Sequence, residues 1–184
     1  MTEGSMMSEA PLPCNEDRRL AALLRLGILD SPPEEQFDRI VAKAAAMADA
    51  PISLISFVTD TRQWFKASVG LEVKENDRGA AFCAWAIYNA EVLCIEDARN
   101  DARFYDNAFV TGGPNIRSYV GAPIQSPDGF LLGTLCVIDN KPRVFDPSLV
   151  EGLTSLAAEV SGLLESWRRH DDERQSHVQV EQGA

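Results

Sequence analysis

The sequence predicts an α+β domain: one antiparallel sheet of five or six strands, with helices from both ends of the chain packed on one face. Three observations predict it. Apolar residues recur at helical spacing in two segments near the start and in one long segment near the end. Between them lie short apolar runs joined by turn signals, and strands joined by tight turns run antiparallel. Only one connection is long, the irregular stretch from Asp97 to Gly113.

Residues 1–14 are rich in Ser, Pro and Met and are expected to be disordered; 15–167 is expected to form the domain, and 168–184 a polar tail that frays. A first helix starts at Asn15, with Glu16 and Asp17 in its first turn. Leu20, Leu23, Leu24 and Ile28 form its apolar stripe, and Gly27 suits its exit. Ser31-Pro32-Pro33-Glu34 reads as a capping box opening a second helix, Pro32 to Asp49, whose buried face is Phe37, Ile40, Val41, Ala44 and Met47. Ile52 to Val58 and Gln63 to Val69 read as strands turned at Asp60-Thr61, with Trp64 and Phe65 on opposite faces. Leu71 to Gly79 reads as a polar loop, Ala80 to Asn89 as a short helix and Val92 to Glu96 as a strand.

The chain is organised around the hairpin Arg117 to Asn140. Two apolar arms flank Ser126-Pro127-Asp128-Gly129, where Pro127 presets one turn dihedral and Gly129 accepts a positive φ. The second arm, Phe130 to Asp139, is so apolar that it must be buried on both faces, at the centre of the sheet. Asp146-Pro147 starts the last helix, where Leu149, Leu153, Leu156, Val160, Leu163 and Trp167 step as a heptad seam. About 25 residues at ~1.5 Å each span ~37 Å, longer than a domain of this size. Leu163, Leu164 and Trp167 are therefore expected to leave the domain and pair, with Leu20 and Leu24, against a second copy in a homodimer.

Composition excludes several functions. With 17 basic and 28 acidic residues the net charge is −11, which disfavours nucleic acid and anionic membrane as partners. No apolar run approaches the roughly 18 residues of a membrane span. The start of the chain lacks a basic segment followed by an apolar one, so a cytoplasmic location is expected. Both histidines, His170 and His177, lie in the tail, so the body has no histidine base and no histidine ligand for zinc or haem. The cysteines, Cys14, Cys83, Cys94 and Cys136, show no metal spacing, and the last three sit in apolar stretches where a thiol serves as a small hydrophobe. No metal site, no catalytic residue and no particular cofactor is indicated.

Several motifs, in order, resemble one family. GILDSPPEEQFDRI, PISLISFVTDTRQWFKASVGL, FCAWAI, DARNDARFYDNAFVTGGPNIRSYVGAPI and GTLCVIDNKPR are similar to the GAF domains that accompany histidine kinase and diguanylate cyclase modules in bacteria. The likeness runs from about Asn15 to about Trp167. It implies a PAS-like sheet with the terminal helices on one face and a ligand pocket on the other, roofed by the FCAWAI helix and the Asp97 to Gly113 segment. It further implies a sensory role, a small-molecule ligand such as a cyclic nucleotide or tetrapyrrole, and dimerisation through terminal helices. One position departs: relatives of this type often read FCAHAI, and Trp85 stands here at the His, which would make a pocket smaller and more apolar.

The composition of a ligand cleft is present. Phe82, Cys83, Trp85, Phe104, Tyr105 and Phe109 are its expected walls, and Asp97, Asn107, Arg117 and Tyr119 its polar groups. Arg117 either grips a phosphate or carboxylate, or pairs with Asp97, Asp101 or Asp106 to fix the loop. Two alternatives stand beside the sensor. One is a thiol redox sensor or reductase using Cys83 with Cys94 or Cys136, although no Lys, Arg or His follows any of these cysteines to acidify it. The other is a ligand-free dimerisation module whose pocket is filled by Trp85 and its neighbours. No segment reads as an output domain, so the chain is expected either to be a fragment of a larger signalling protein or to act in trans on a partner.

Overall fold

A computed structural model describes the backbone of residues 8–182 and the side chains of 8–167. Six strands pair antiparallel in one sheet: β1 (Ile52–Val58), β2 (Arg62–Val69), β3 (Glu75–Asp77), β4 (Leu93–Ile95), β5 (Ser118–Gln125) and β6 (Leu131–Asp139), in the order β3-β2-β1-β6-β5-β4. The apolar second arm of the hairpin is β6, and it does sit in the middle, between β1 and β5. Its approach to β1 is close. A Cβ at Gly133 would lie 1.8 Å from the Ser56 carbonyl oxygen, so only glycine fits there.

The helices are α1 (Glu16–Arg25), α2 (Glu35–Ala48), α3 (Phe82–Asn89), α4 (Ala108–Thr111) and α5 (Pro147–Gln182). On one face of the sheet α1, α2 and α5 bury Leu23, Phe37, Ile40, Leu153 and Val160 against Phe57, Trp64, Leu135 and Val137. On the other face α3 and the segment after β4 bury Phe82, Ile87 and Phe104 against Leu54, Phe65, Tyr119 and Cys136. Trp64 and Phe65 belong to opposite cores, as strand alternation requires. The expected α+β architecture is therefore the observed one.

Local expectations fail where a side chain has a better partner. The capping box does not form. Ser31 Oγ donates to Ile28 O at 2.6 Å, and Glu34 is the extended residue before α2, its carboxylate accepting from Lys66 Nζ at 2.9 Å. Asn15 precedes α1 but makes no side-chain cap. Leu24 is 68% exposed because α1 turns Glu16, Arg19 and Leu23 inward instead. Met47 is also exposed, its sulfur lying over Gly152 of α5. The polar loop contains a strand, β3, which pairs Asn76 with Gln63 and protects the edge of β2.

Two boundaries shift. Within residues 8–14 Ala10 packs on the α3-side core, whereas residues 1–7 of the segment expected to be disordered lie outside the described residues. The tail expected to fray continues α5 to Gln182, since neither Gly nor Pro interrupts 163–182; its side chains lie outside the described residues.

The seam of α5 also stays on its own domain through Trp167. Leu164 is fully buried in the helix-side core, and Leu163 and Trp167 pack against that core. Trp167 donates from Nε1 to Leu26 O at 2.8 Å and tilts against Phe37. These residues were expected at a dimer interface. They are occupied within the chain because Leu26, at the end of α1, and Phe37 of α2 meet α5 at Trp167.

Candidate functional site

A cavity of about 280 Å³ lies on the α3 face of the sheet. Its floor comes from β1, β2 and β6 through Leu54, Phe65 and Ile138, and its side walls from Phe82, Phe109 and Tyr119. Residues just after β2 and in β3 complete it, and exposed Val73 and Glu75 mark its mouth. The walls are almost wholly apolar. The exception is Gln63 on β2. It shares a strand face with Phe65, it is 5% exposed, and its buried Oε1 has no hydrogen-bond partner. Glu75 is paired with Arg62, and Asn76 donates from Nδ2 to Asp77 O at 2.9 Å.

Beside the cavity, a knot of polar groups is closed on itself. Thr134 Oγ1 donates to Cys83 Sγ at 2.9 Å, and Tyr119 Oη donates to the same sulfur at 3.3 Å. Burial opposes a charge on Cys83. Donation from Cys136, Ser56, Thr134 and Tyr119 favours it, so Cys83 is drawn below the usual thiol range. Cys136 is pushed well above that range by its bond to Cys83 and by burial, and burial likewise raises Tyr119. Gly121 makes the room: a Cβ there would lie 2.1 Å from Tyr119 Oη.

Of the expected site residues, Phe82, Cys83, Phe109 and Tyr119 line the cavity and the others do not. Trp85 sits on the far side of α3, half-buried, edge-on to Phe104 and beneath the Arg103 guanidinium. It neither narrows nor fills the cavity. Phe104 is buried behind Phe82, their rings stacked 3.9 Å apart, and Tyr105 is 51% exposed. Asn107 caps α4 through the Phe109 N–H and donates to Ala80 O, so both ends of its amide hold the loop. Asp97 pairs with Arg99 and Asp101 with Arg103. Arg117 is left to fix the loop through carbonyls, donating from Nη1 to Val110 O and Ile116 O. Cys94 is exposed on β4 while its neighbours Leu93 and Ile95 face the α3-side core, so it lies on the other side of the sheet from Cys83. Sequence reasoning missed Gln63, although a polar residue two before Phe65 on a buried strand face was a readable signal.

A second charged knot joins the rim of the cavity to α1. Arg78 lies two residues before Ala80, which with Ala81 belongs to the wall. It donates from Nη1 to Glu16 and to Thr59 O, and its buried Nη2 has no partner. Arg19 binds the same carboxylate through Nε and Nη2, at 2.8 Å each, and Val58 O through Nη1. Burial works against the Glu16 charge, but the bonds from Arg19 and Arg78 hold its carboxyl below the ordinary range. No group of His, Cys, Asp and Glu among the described residues is arranged to hold a metal ion, and no described helix is long and apolar enough to cross a membrane.

The fold recurs in known proteins. A cyclic di-GMP phosphodiesterase of Pseudomonas aeruginosa is 44% identical over 137 residues, which are 74% of this chain and 23% of that protein. The chain thus spans about a quarter of the length of that relative. The GAF domain of a phosphoenolpyruvate-protein phosphotransferase from Coxiella burnetii superposes with a TM-score of 0.64 at 17% identity, covering 86% of this chain and 99% of that one. Its Acinetobacter counterpart gives 0.61 at 22% identity, over 82% and 94%. These two structures share the fold. The GAF domain family model matches residues 32–164, from the loop before α2 to the buried Leu164 of α5, and the chain belongs to the GAF domain family.

Proposed function

We propose that this chain is a sensory domain of a signalling protein, that it binds a small molecule in the cavity on the α3 face, and that it passes occupancy to its terminal helices. The cavity with a buried, unpaired Gln63 Oε1 carries this reading, because an interior polar atom without a partner is costly unless something satisfies it. The route outward is short. Arg78 adjoins the cavity wall and grips Glu16 of α1, while β5 meets α5 through the Gln125 N–H and Ser161 Oγ at 2.9 Å. A ligand that binds one arrangement of the rim better than another shifts α1 by its difference in affinity. The role is regulatory, not catalytic, and its cytoplasmic setting and a homodimer paired through Leu20 and Leu24 of α1 belong to the same proposal.

Native mass spectrometry of the purified chain at low activation tests it. A dimer carrying a stoichiometric extra mass is the expected result. A monomer sinks the dimer, and a bare mass that no metabolite extract changes sinks the sensor.

Cys83 and Cys136, two free thiols buried in the same α3-side core, favour a second reading. The two thiols would give two hydrogens to a peroxide, leaving a disulfide, with the peroxide cleaved to an alcohol and water. A loss of two hydrogens on peroxide treatment, mapped to this pair, is its signature.

A further inference from the structure

We infer that the cavity takes an uncharged, mostly apolar small molecule that donates one hydrogen bond to Gln63 Oε1, and that it excludes nucleotides and other phosphate esters. The inference rests on the sensory reading above and names the ligand class of that site.

Charge is the first argument. No Lys or Arg lines the cavity, and the charged residue at its mouth is Glu75. Arg117, the residue best suited by sequence to a phosphate, spends Nη1 on the carbonyls of Val110 and Ile116 and is not part of the wall. The first turn of α3 lies at the wall, but a helix end carries about half a charge and does not balance a phosphate in an apolar interior.

Size and shape agree. At about 280 Å³ the space is just below the usual range of roughly 300–1,000 Å³ for ligand pockets, so it admits one or two fused rings and not a dinucleotide. Phe65, Phe82, Phe109 and Tyr119 give the lining the aromatic carbon that suits a flat, apolar guest.

Polarity then fixes the orientation. The Tyr119 hydroxyl proton is committed to Cys83, and the buried polar atom without a partner among the lining side chains is Gln63 Oε1. A guest with one N–H or O–H satisfies that atom once the Gln63 amide turns it from its covered position toward the cavity, and the rest of the guest lies against carbon.

The test is an NMR titration of the full chain with indole, 1-methylindole, cyclic GMP and cyclic di-GMP, repeated with Gln63→Leu and, as a near-isosteric alternative, Gln63→Met. Indole is expected to bind wild type at least about fivefold more tightly than 1-methylindole, the scale of one buried hydrogen bond, and both variants are expected to lose that preference. The nucleotides are expected not to shift cavity resonances. Displacement of indole by either nucleotide overturns the ligand class and leaves the pocket standing. Equal affinity of the two indoles in wild type overturns the role of Gln63. Failure of indole to bind at all, in a spectrum that reports a folded chain, overturns both the ligand class and the sensory reading beneath it.

Discussion

The indole of Trp167 lies over the ammonium of Lys66, with Nζ 4.7 Å from the ring centroid. Lys66 is on the central part of β2, its side chain entirely covered, and its three donors reach Ser31 Oγ, Pro32 O and Glu34 Oε1 at 2.8–2.9 Å. Phe37 flanks the same ammonium at 5.1 Å. One buried cation therefore ties β2, the loop before α2 and the middle of α5 together.

Lys66→Ala is expected to cost about 3 kcal/mol, the scale of breaking a buried ion pair, and Lys66→Met less, since its stem keeps the packing between Phe37 and Trp167. Urea unfolding checks both. Equal stability of wild type and Lys66→Ala would show that Lys66 is not the tie.

The Glu16 carboxylate holds two guanidiniums, so Glu16→Gln leaves Arg19 and Arg78 buried with no counter-charge. A loss of about 3–5 kcal/mol is expected near neutral pH. Because the folded carboxyl titrates below its ordinary value of 4.5, its contribution is complete above that pH and fades as pH falls through the lower folded value. The gap between wild type and variant, followed by unfolding at pH 7, 5 and 3, should narrow at the acid end. A constant gap would contradict the ion pair.

Gly121→Ala and Gly133→Ala separate two kinds of crowding. At Gly121 the obstacle is the mobile end of Tyr119, so about 1–3 kcal/mol is expected, together with weaker indole binding as the ring tilts into the cavity. At Gly133 the obstacle is the Ser56 backbone, and about 4–5 kcal/mol is expected, exceptional for a single methyl. Thermal melts rank the two, and the reverse ranking would contradict the strand register.

Thiol alkylation of the native chain should mark Cys14 and Cys94, which are exposed, and leave Cys83 and Cys136 unmarked until denaturation. Partial burial and Glu96 raise the Cys94 thiol, so its labelling rate should still climb above pH 9.0. Rapid native labelling of Cys83 would favour the thiol reading over the pocket reading.

The sheet was legible because its strands alternate or run apolar between plain turn signals: Ile52 to Val58 coincides with β1, and the two arms of the hairpin with β5 and β6. The helix-side core was legible from Phe37, Ile40, Leu153 and Val160 for the same reason. What stayed hidden was pairing between distant residues. Nothing local at Ser31 or Glu34 tells of Lys66 more than thirty positions on, and that bond is what displaces the cap. The aromatic residues after β4 read as pocket walls by type, but Phe104 and Trp85 are spent on stacking behind α3. The floor of the cavity was missed because Leu54, Phe65 and Ile138 look like any other strand hydrophobe until the sheet is assembled. Leu163, Leu164 and Trp167 were read outward because helix length alone does not say that Leu26 and Phe37 meet α5 at Trp167.

The knot at Glu16 bears on where this domain can be cut. The family match begins at residue 32, after α1 has ended. A shortened chain starting there would lose Glu16 and Arg19 and strand the Arg78 guanidinium beside the cavity wall, an unpaired charge in the interior next to the candidate site. Shared ancestry marks one boundary and electrostatics marks another, about sixteen residues earlier. The physical unit is the longer of the two.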